Sequence, residues 1–147
     1  MPAWFRSDQD DFTARLRAIP WAEYETAYGR ADDVPKILGA LVGRNETAAL
    51  KAAYELEATL CHQHVRIDSA ALPALPFLLE ASERAAPRVG EEIMCVIRGM
   101  AACARWAAET SPERYAALEW LRELHAALIA ERPRWEALEH HPNPEID

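Results

Sequence analysis

The sequence predicts an all-α protein built from antiparallel helix pairs, and three observations point there. Alanine and leucine, both strong helix formers, dominate the apolar residues. Strand signals are scarce: there is no sustained period-2 alternation and no Asn-Gly or Asp-Gly hairpin turn. The phrase "DVPKILGALVG", beginning at Asp33, also returns as "ALPALPFLLE", beginning at Ala71, each time setting proline into apolar spacing of helical period. A chain of 147 residues fits one domain, which at this size buries roughly 68–70 % of its unfolded surface without help from disulfides or metal. That helical domain is expected over 1–139, followed by the polar tail "HHPNPEID" over 140–147.

Taken in order, Ser7 is placed to cap a first helix running to about Ile19, with Asp8, Asp10 and Asp11 near its positive end and Phe12 and Leu16 on one face. Pro20 opens a short segment in which Trp21, Tyr24 and Tyr28 recur at helical spacing, as a core stripe would, and Gly29 supplies a stop. Asp32 or Asp33 caps the next helix, Pro35 sits in its first turn, and Ile37, Leu38, Leu41 and Val42 form its buried side. Asn45 caps a longer helix to Cys61, with Ala49, Ala53, Leu56 and Leu60 on one face. A further helix starts at Asp68 or Ser69 with Pro73 and Pro76 in or near its first turns, and "AAPRVG" separates it from a partner over about 91–109. Ile93, Ile97, Met100 and Ala104 form that partner's inner stripe. Ser111-Pro112-Glu113 reads as the start of one long helix through Leu118, Leu121, Leu124 and Leu128, and Pro133 opens a last one carrying Trp135 and Leu138.

Val34-Pro35 and Ile37-Leu38 match Leu75-Pro76 and Leu78-Leu79 at an offset of 41 residues. Helix pairs repeating every 40 to 47 residues or so build HEAT and armadillo solenoids, in which each pair hides its apolar faces against its neighbour. The expected architecture is a short solenoid of that kind, with the prolines marking helix starts and an irregular helical bundle as the alternative.

Trp21, "AYGRADDVPKIL" from Ala27 to Leu38, and "LCHQ" followed by "ALPALPFLLE" resemble a group of bacterial HEAT-like proteins over roughly Trp21 to Glu80. The resemblance implies an α-solenoid used for protein contacts and brings no catalytic residues with it. The sequence has "HQHV" where a glycine usually follows the His-Gln pair of that group.

The net charge of -8 disfavours binding to a polyphosphate backbone and steers toward basic proteins. No segment approaches the roughly 18 uninterrupted apolar residues of a membrane span, and the opening stretch holds no signal-peptide core. With three cysteines and no C-x-x-C pair, a cytoplasmic protein is expected.

Cys61, His62 and His64 form the densest group of metal-ligating types, but their spacing lacks the two paired halves of a structural zinc site, and histidine suits a helix C-terminus. Cys95 and Cys103, about 12 Å apart along one helix, cannot bridge each other and read as core residues. His125, between Leu121 and Leu128, reads as a hydrogen-bonded histidine at the core edge. No P-loop, dinucleotide fingerprint, HExxH or EF-hand loop is present, so no cofactor, metal or catalytic residue is assigned. The expected function is non-enzymatic protein binding, concretely an immunity protein neutralising a basic toxin, with Asp32, Asp33, Glu55, Glu80 and Glu83 at the contact. The alternatives are a metal- or histidine-dependent hydrolase using His62 and His64, and a structural module that associates with its own copies.

Overall fold

Eight α-helices and one small hairpin make up the computed structural model, which describes residues 3–61 and 66–139, with the backbone alone for 3–9 and 138–139. The chain is all-α, as expected. Helix α1 (Ala3–Ala18) buries Phe12 and Leu16. It already runs through Ser7, so Ser7 is an interior residue and not the cap expected from the sequence. No glycine or proline lies between Ala3 and Ser7, and an interior serine costs only a few tenths of a kcal/mol, about the propensity gap to a better helix former.

The next segment corrects the sequence reading more deeply. Instead of a helix, "PWAEYETAYG" forms a 3-10 turn (Trp21–Glu23) and an antiparallel hairpin, β1 (Glu25–Thr26) with β2 (Gly29–Arg30). Thr26 is buried, its hydroxyl donating to the Gly29 carbonyl at 2.9 Å and accepting the Tyr28 N–H at 3.1 Å, a local bonding pattern that competes with helix. Gly29 sits at φ 116°, where a side chain would be strained. The hairpin is stitched between two helices: Ala27 N–H donates to the Thr59 carbonyl, Ala70 N–H to the Glu25 carbonyl, and Glu25 N–H to the Ser69 hydroxyl. Of the expected aromatic stripe, Trp21 is buried with its indole N–H on the Leu16 carbonyl at 2.7 Å, Tyr24 is half-buried, and Tyr28 is exposed.

Helices α2 (Val34–Leu41) and α3 (Glu46–Leu60) pack against each other through Val34, Leu38 and Leu41 on one side and Ala49, Ala53, Leu56 and Leu60 on the other. Asp33 occupies the N-cap position of α2, but its carboxylate makes no cap bond. Asn45 does cap α3, its side-chain oxygen accepting the Ala48 N–H at 3.0 Å. Asn45→Ala is expected to lower stability by about 1 kcal/mol in urea unfolding; an unchanged midpoint would show that water serves that N–H equally well.

Helix α4 (Ala71–Arg84) carries Pro73 as its third residue and Pro76 in its interior. Pro76 has no N–H for the Leu72 carbonyl, and it is exposed, so the gap in the ladder lies on the solvent side. Helix α5 (Pro87–Thr110) buries Ile93, Ile97, Met100 and Ala104 as expected, yet begins four residues before the expected start. Pro87 is its first residue, a position where proline is favoured, so "PRVG" is helix and not linker. Beyond Ser111, the single long helix expected is broken in two: α6 (Pro112–Ala117) and α7 (Glu119–Ala130) are separated by Leu118 in extended conformation. Leu118 packs on the core and its carbonyl accepts the Leu121 and Arg122 N–H groups, starting α7 afresh. Helix α8 (Arg132–Glu139) buries Trp135, whose indole N–H meets the Leu128 carbonyl at 3.0 Å.

At the centre lies α5, which packs on α3, α4, α6, α7 and α8. The starts of α3 at Glu46 and α5 at Pro87 are 41 residues apart, the same offset as the repeated phrase. The prolines of that phrase are not equivalent, however: Pro35 opens α2, whereas Pro76 lies inside α4. Among the described residues no helix is long and apolar enough to cross a membrane.

Candidate functional site

A helix of 24 residues has one face to spare once its core stripe is covered. On α5 that face carries Arg98, Ala101, Arg105 and Glu109, spaced by three, four and four residues, so they form one row about 16 Å long. The row borders an open cavity of about 520 Å³ whose opposite wall is His125 and Ile129 of α7 and Arg132 and Trp135 of α8. Two large apolar side chains stand in it largely uncovered, Trp106 at 52 % exposure and Ile129 at 59 %. Trp106 stands at the margin of the buried stripe, about 160° around the axis from Ala104 but about 60° from Cys103. Ion pairs border the cavity, Arg105 with Glu109 at 3.4 Å and Arg132 with Glu136 at 2.7 Å.

His125 is half-buried, its Nδ1 2.7 Å from the Tyr115 hydroxyl with the rings edge to face. In an unbroken helix these residues, ten apart, would lie about 15 Å from each other along the axis; the break at Leu118 brings them together. The histidine hydrogen-bonded at the core edge is what the sequence led us to expect.

Trp106 also borders a second cavity, of about 340 Å³, with Arg66, Asp68 and Arg114 at its rim and Cys103 among its lining residues. Arg66 and Asp68 pair at 3.1 Å. The indole is therefore a ridge between two concavities, both edged by arginine.

The five acidic positions expected at a contact are placed unequally. Asp32 is exposed and lies 3.5 Å from Arg30, while Asp33 and Glu55 are exposed at the N-cap of α2 and on α3. Glu80 and Glu83 are instead engaged within the fold. Glu80 receives both terminal nitrogens of Arg15 at 2.9 Å and lies 3.7 Å from Arg84, and Glu83 accepts from Arg134. Arg84 is the local i,i+4 partner of Glu80, but Arg15 and Arg134 are 65 and 51 residues away in sequence, out of reach of any local pattern.

Cys61 and Cys103 are fully buried, and burial pushes their thiols up to about 12 and about 11. They are protonated near neutral pH, and it is the thiolate that attacks or binds metal. His62 and His64, and with them the sequence-level hydrolase alternative, lie outside the described residues, as do His140 and His141. Among the described residues no group of three or more His, Cys, Asp or Glu side chains is arranged to hold a metal ion.

The sequence reading did not single out Trp106. A tryptophan at the edge of the apolar stripe, next to Arg105 and one turn from Glu109, is the signal that could have marked it; the second wall comes from α7 and α8 and depends on tertiary packing. Compared with protein-family models, curated proteins and solved structures, the chain matches none.

Proposed function

We propose that this chain is a non-enzymatic protein-binding module, a short HEAT-like stack of helix pairs whose contact surface centres on Trp106. The observation that carries the reading is that indole, half exposed on a ridge between two open cavities, with Ile129 uncovered beside it. Exposed tryptophan flanked by arginine is the composition from which the strongest contact residues of protein interfaces are drawn. The concrete form is an immunity protein that neutralises a toxic enzyme. The net charge of -8 steers a basic partner toward the molecule from a distance, helped by the exposed Asp32, Asp33 and Glu55, while the surface around Trp106 decides the fit. Three free thiols suit the cytoplasm, where such an encounter would occur.

Immobilised protein incubated with extract of its host tests this reading, alongside Trp106→Ala and, as a control on a distant exposed aromatic, Tyr54→Ala. A protein is expected to be retained by the original chain and by Tyr54→Ala, with affinity falling about 30-fold or more for Trp106→Ala. Equal retention by all three, or none by any, rejects the reading.

A further inference from the structure

We infer that the element seated against Trp106 is an acidic amphipathic helix of a partner protein, its apolar side chains on Trp106 and Ile129 and its carboxylates on the surrounding arginines. The inference rests on the reading of this surface as a protein contact and adds the chemistry of what it takes.

Charge is the first argument. The whole chain has 16 basic residues against 24 acidic ones, yet the two cavities that meet at Trp106 reverse that balance. Arg66 and Arg114 edge one, Arg98, Arg105 and Arg132 the other, against Asp68, Glu109 and Glu136. Five positive charges face three negative ones, so a patch with an excess of two positive charges sits on a strongly acidic molecule. Local complementarity of this kind selects a partner's docking element even where net charges differ. All five cations are arginines, whose planar fork takes carboxylates two bonds at a time and also stacks on aromatic rings.

Shape is the second. From Arg98 to Glu109 the α5 wall runs about 16 Å, the length of three helical turns. The exposed Trp106 and Ile129 supply the apolar contact surface beside it, with Leu128 and Trp135 buried beneath them. Apolar anchors between charged rims are how grooves accept an amphipathic helix. The pairs beside α7 and α8, Arg105 with Glu109 and Arg132 with Glu136, have side chains 42 to 77 % exposed and are readily exchanged for a partner's carboxylates, whereas Arg66 stays with the less exposed Asp68. A nucleic acid strand is the less favoured anionic occupant, because every nucleotide brings a charge that the remaining acidic surface repels, whereas an acidic helix can belong to a partner whose net charge is positive.

The test uses the full chain and three dye-labelled peptides of about 18 residues, long enough to form a helix. One carries Leu at helical spacing with Glu elsewhere, a second has Lys for every Glu, and a third keeps Glu but has Ser for every Leu. Fluorescence anisotropy is read at about 0.02 M and about 0.3 M salt. The acidic Leu peptide is expected to bind at least ~10-fold tighter than either of the others at low salt, with the advantage over the Lys peptide shrinking at high salt. Arg105→Glu with Arg114→Glu, checked for unchanged helicity, is expected to abolish that preference. Equal or tighter binding of the Lys peptide, no binding of the acidic Leu peptide, or tighter binding of a single-stranded oligonucleotide overturns the inference. So does a dimer in sedimentation that Trp106→Ala dissolves, since the occupant is then a second copy. If host extract yields a Trp106-dependent partner whose docking segment is basic, this inference fails while the protein-binding reading stands; absence of any such partner removes both.

Discussion

Replacing Phe12 by alanine is expected to lower the free energy of unfolding by about 3–5 kcal/mol. Phe12 is fully buried and meets Phe77 edge to face at 5.3 Å, and Phe77 in turn lies 6.4 Å from Trp21, so one ring joins α1, the 3-10 turn and α4. The guanidinium of Arg15 lies 5.7 Å from the Phe12 ring centre and 5.9 Å from that of Phe77, and Arg84 lies 5.7 Å from Phe12. Glu80 holds both cations in place, and its bond keeps the Arg15 guanidinium above its ordinary pKa. Deleting the ring removes the apolar anchor and the surface on which those arginines rest, and a buried position cannot close over the cavity without moving α1. Urea unfolding of the variant checks this; a loss below about 1 kcal/mol would mean that α1 is held by Leu16 and the ion pairs alone.

Raising the pH above about 9 is expected to withdraw several kcal/mol through the two buried thiols alone. Desolvation raises both folded-state values, Cys61 to about 12, with Cys103 and Glu57 adding to it, and Cys103 to about 11. In the unfolded chain the thiols ionise near 8.5, so between there and the folded values the native state holds protons that the unfolded state has lost. Their contribution is complete below about pH 8.5 and falls as pH rises through 11 to 12, at about 1.4 kcal/mol per pH unit for each thiol. Cys61→Ala with Cys103→Ala removes both titrations. Chemical denaturation from pH 8 to 11 or so should show a shallower decline for that double variant; parallel curves would mean that the thiols ionise inside the fold as easily as outside it.

Much of the helical framework was readable from sequence because the determining signals are local. Asn45 caps α3 through its own side chain, and the stripes Ala49 to Leu60 and Ile93 to Ala104 follow the helical period into the core. The misreadings occurred where a local signal had a competitor. Trp21, Tyr24 and Tyr28 keep helical spacing, but Thr26 and Gly29 close a hairpin whose backbone bonds go to Thr59, Ser69 and Ala70. Leu118 fits the leucine period and carries no breaker residue, and it is packing on the core, with Tyr115 reaching His125, that accompanies the break. At the candidate site the limit was charge. Asp32, Asp33 and Glu55 stand exposed, whereas Glu80 and Glu83 are gripped by Arg15 and Arg134 from distant helices, with Arg84 the one local partner among these.

Those two carboxylates have a mechanical consequence. Glu80 and Glu83 lie about one turn apart on α4, and they grip Arg15 from α1 and Arg134 from α8. A row of helix pairs joined only to their nearest neighbours frays from each extremity separately. Here the first and last described helices are buckled to the same stretch of rod, like both ends of a belt fastened at one clasp. Melting should therefore be concerted, with protection of α1 and α8 against hydrogen exchange declining together as salt loosens the buckle.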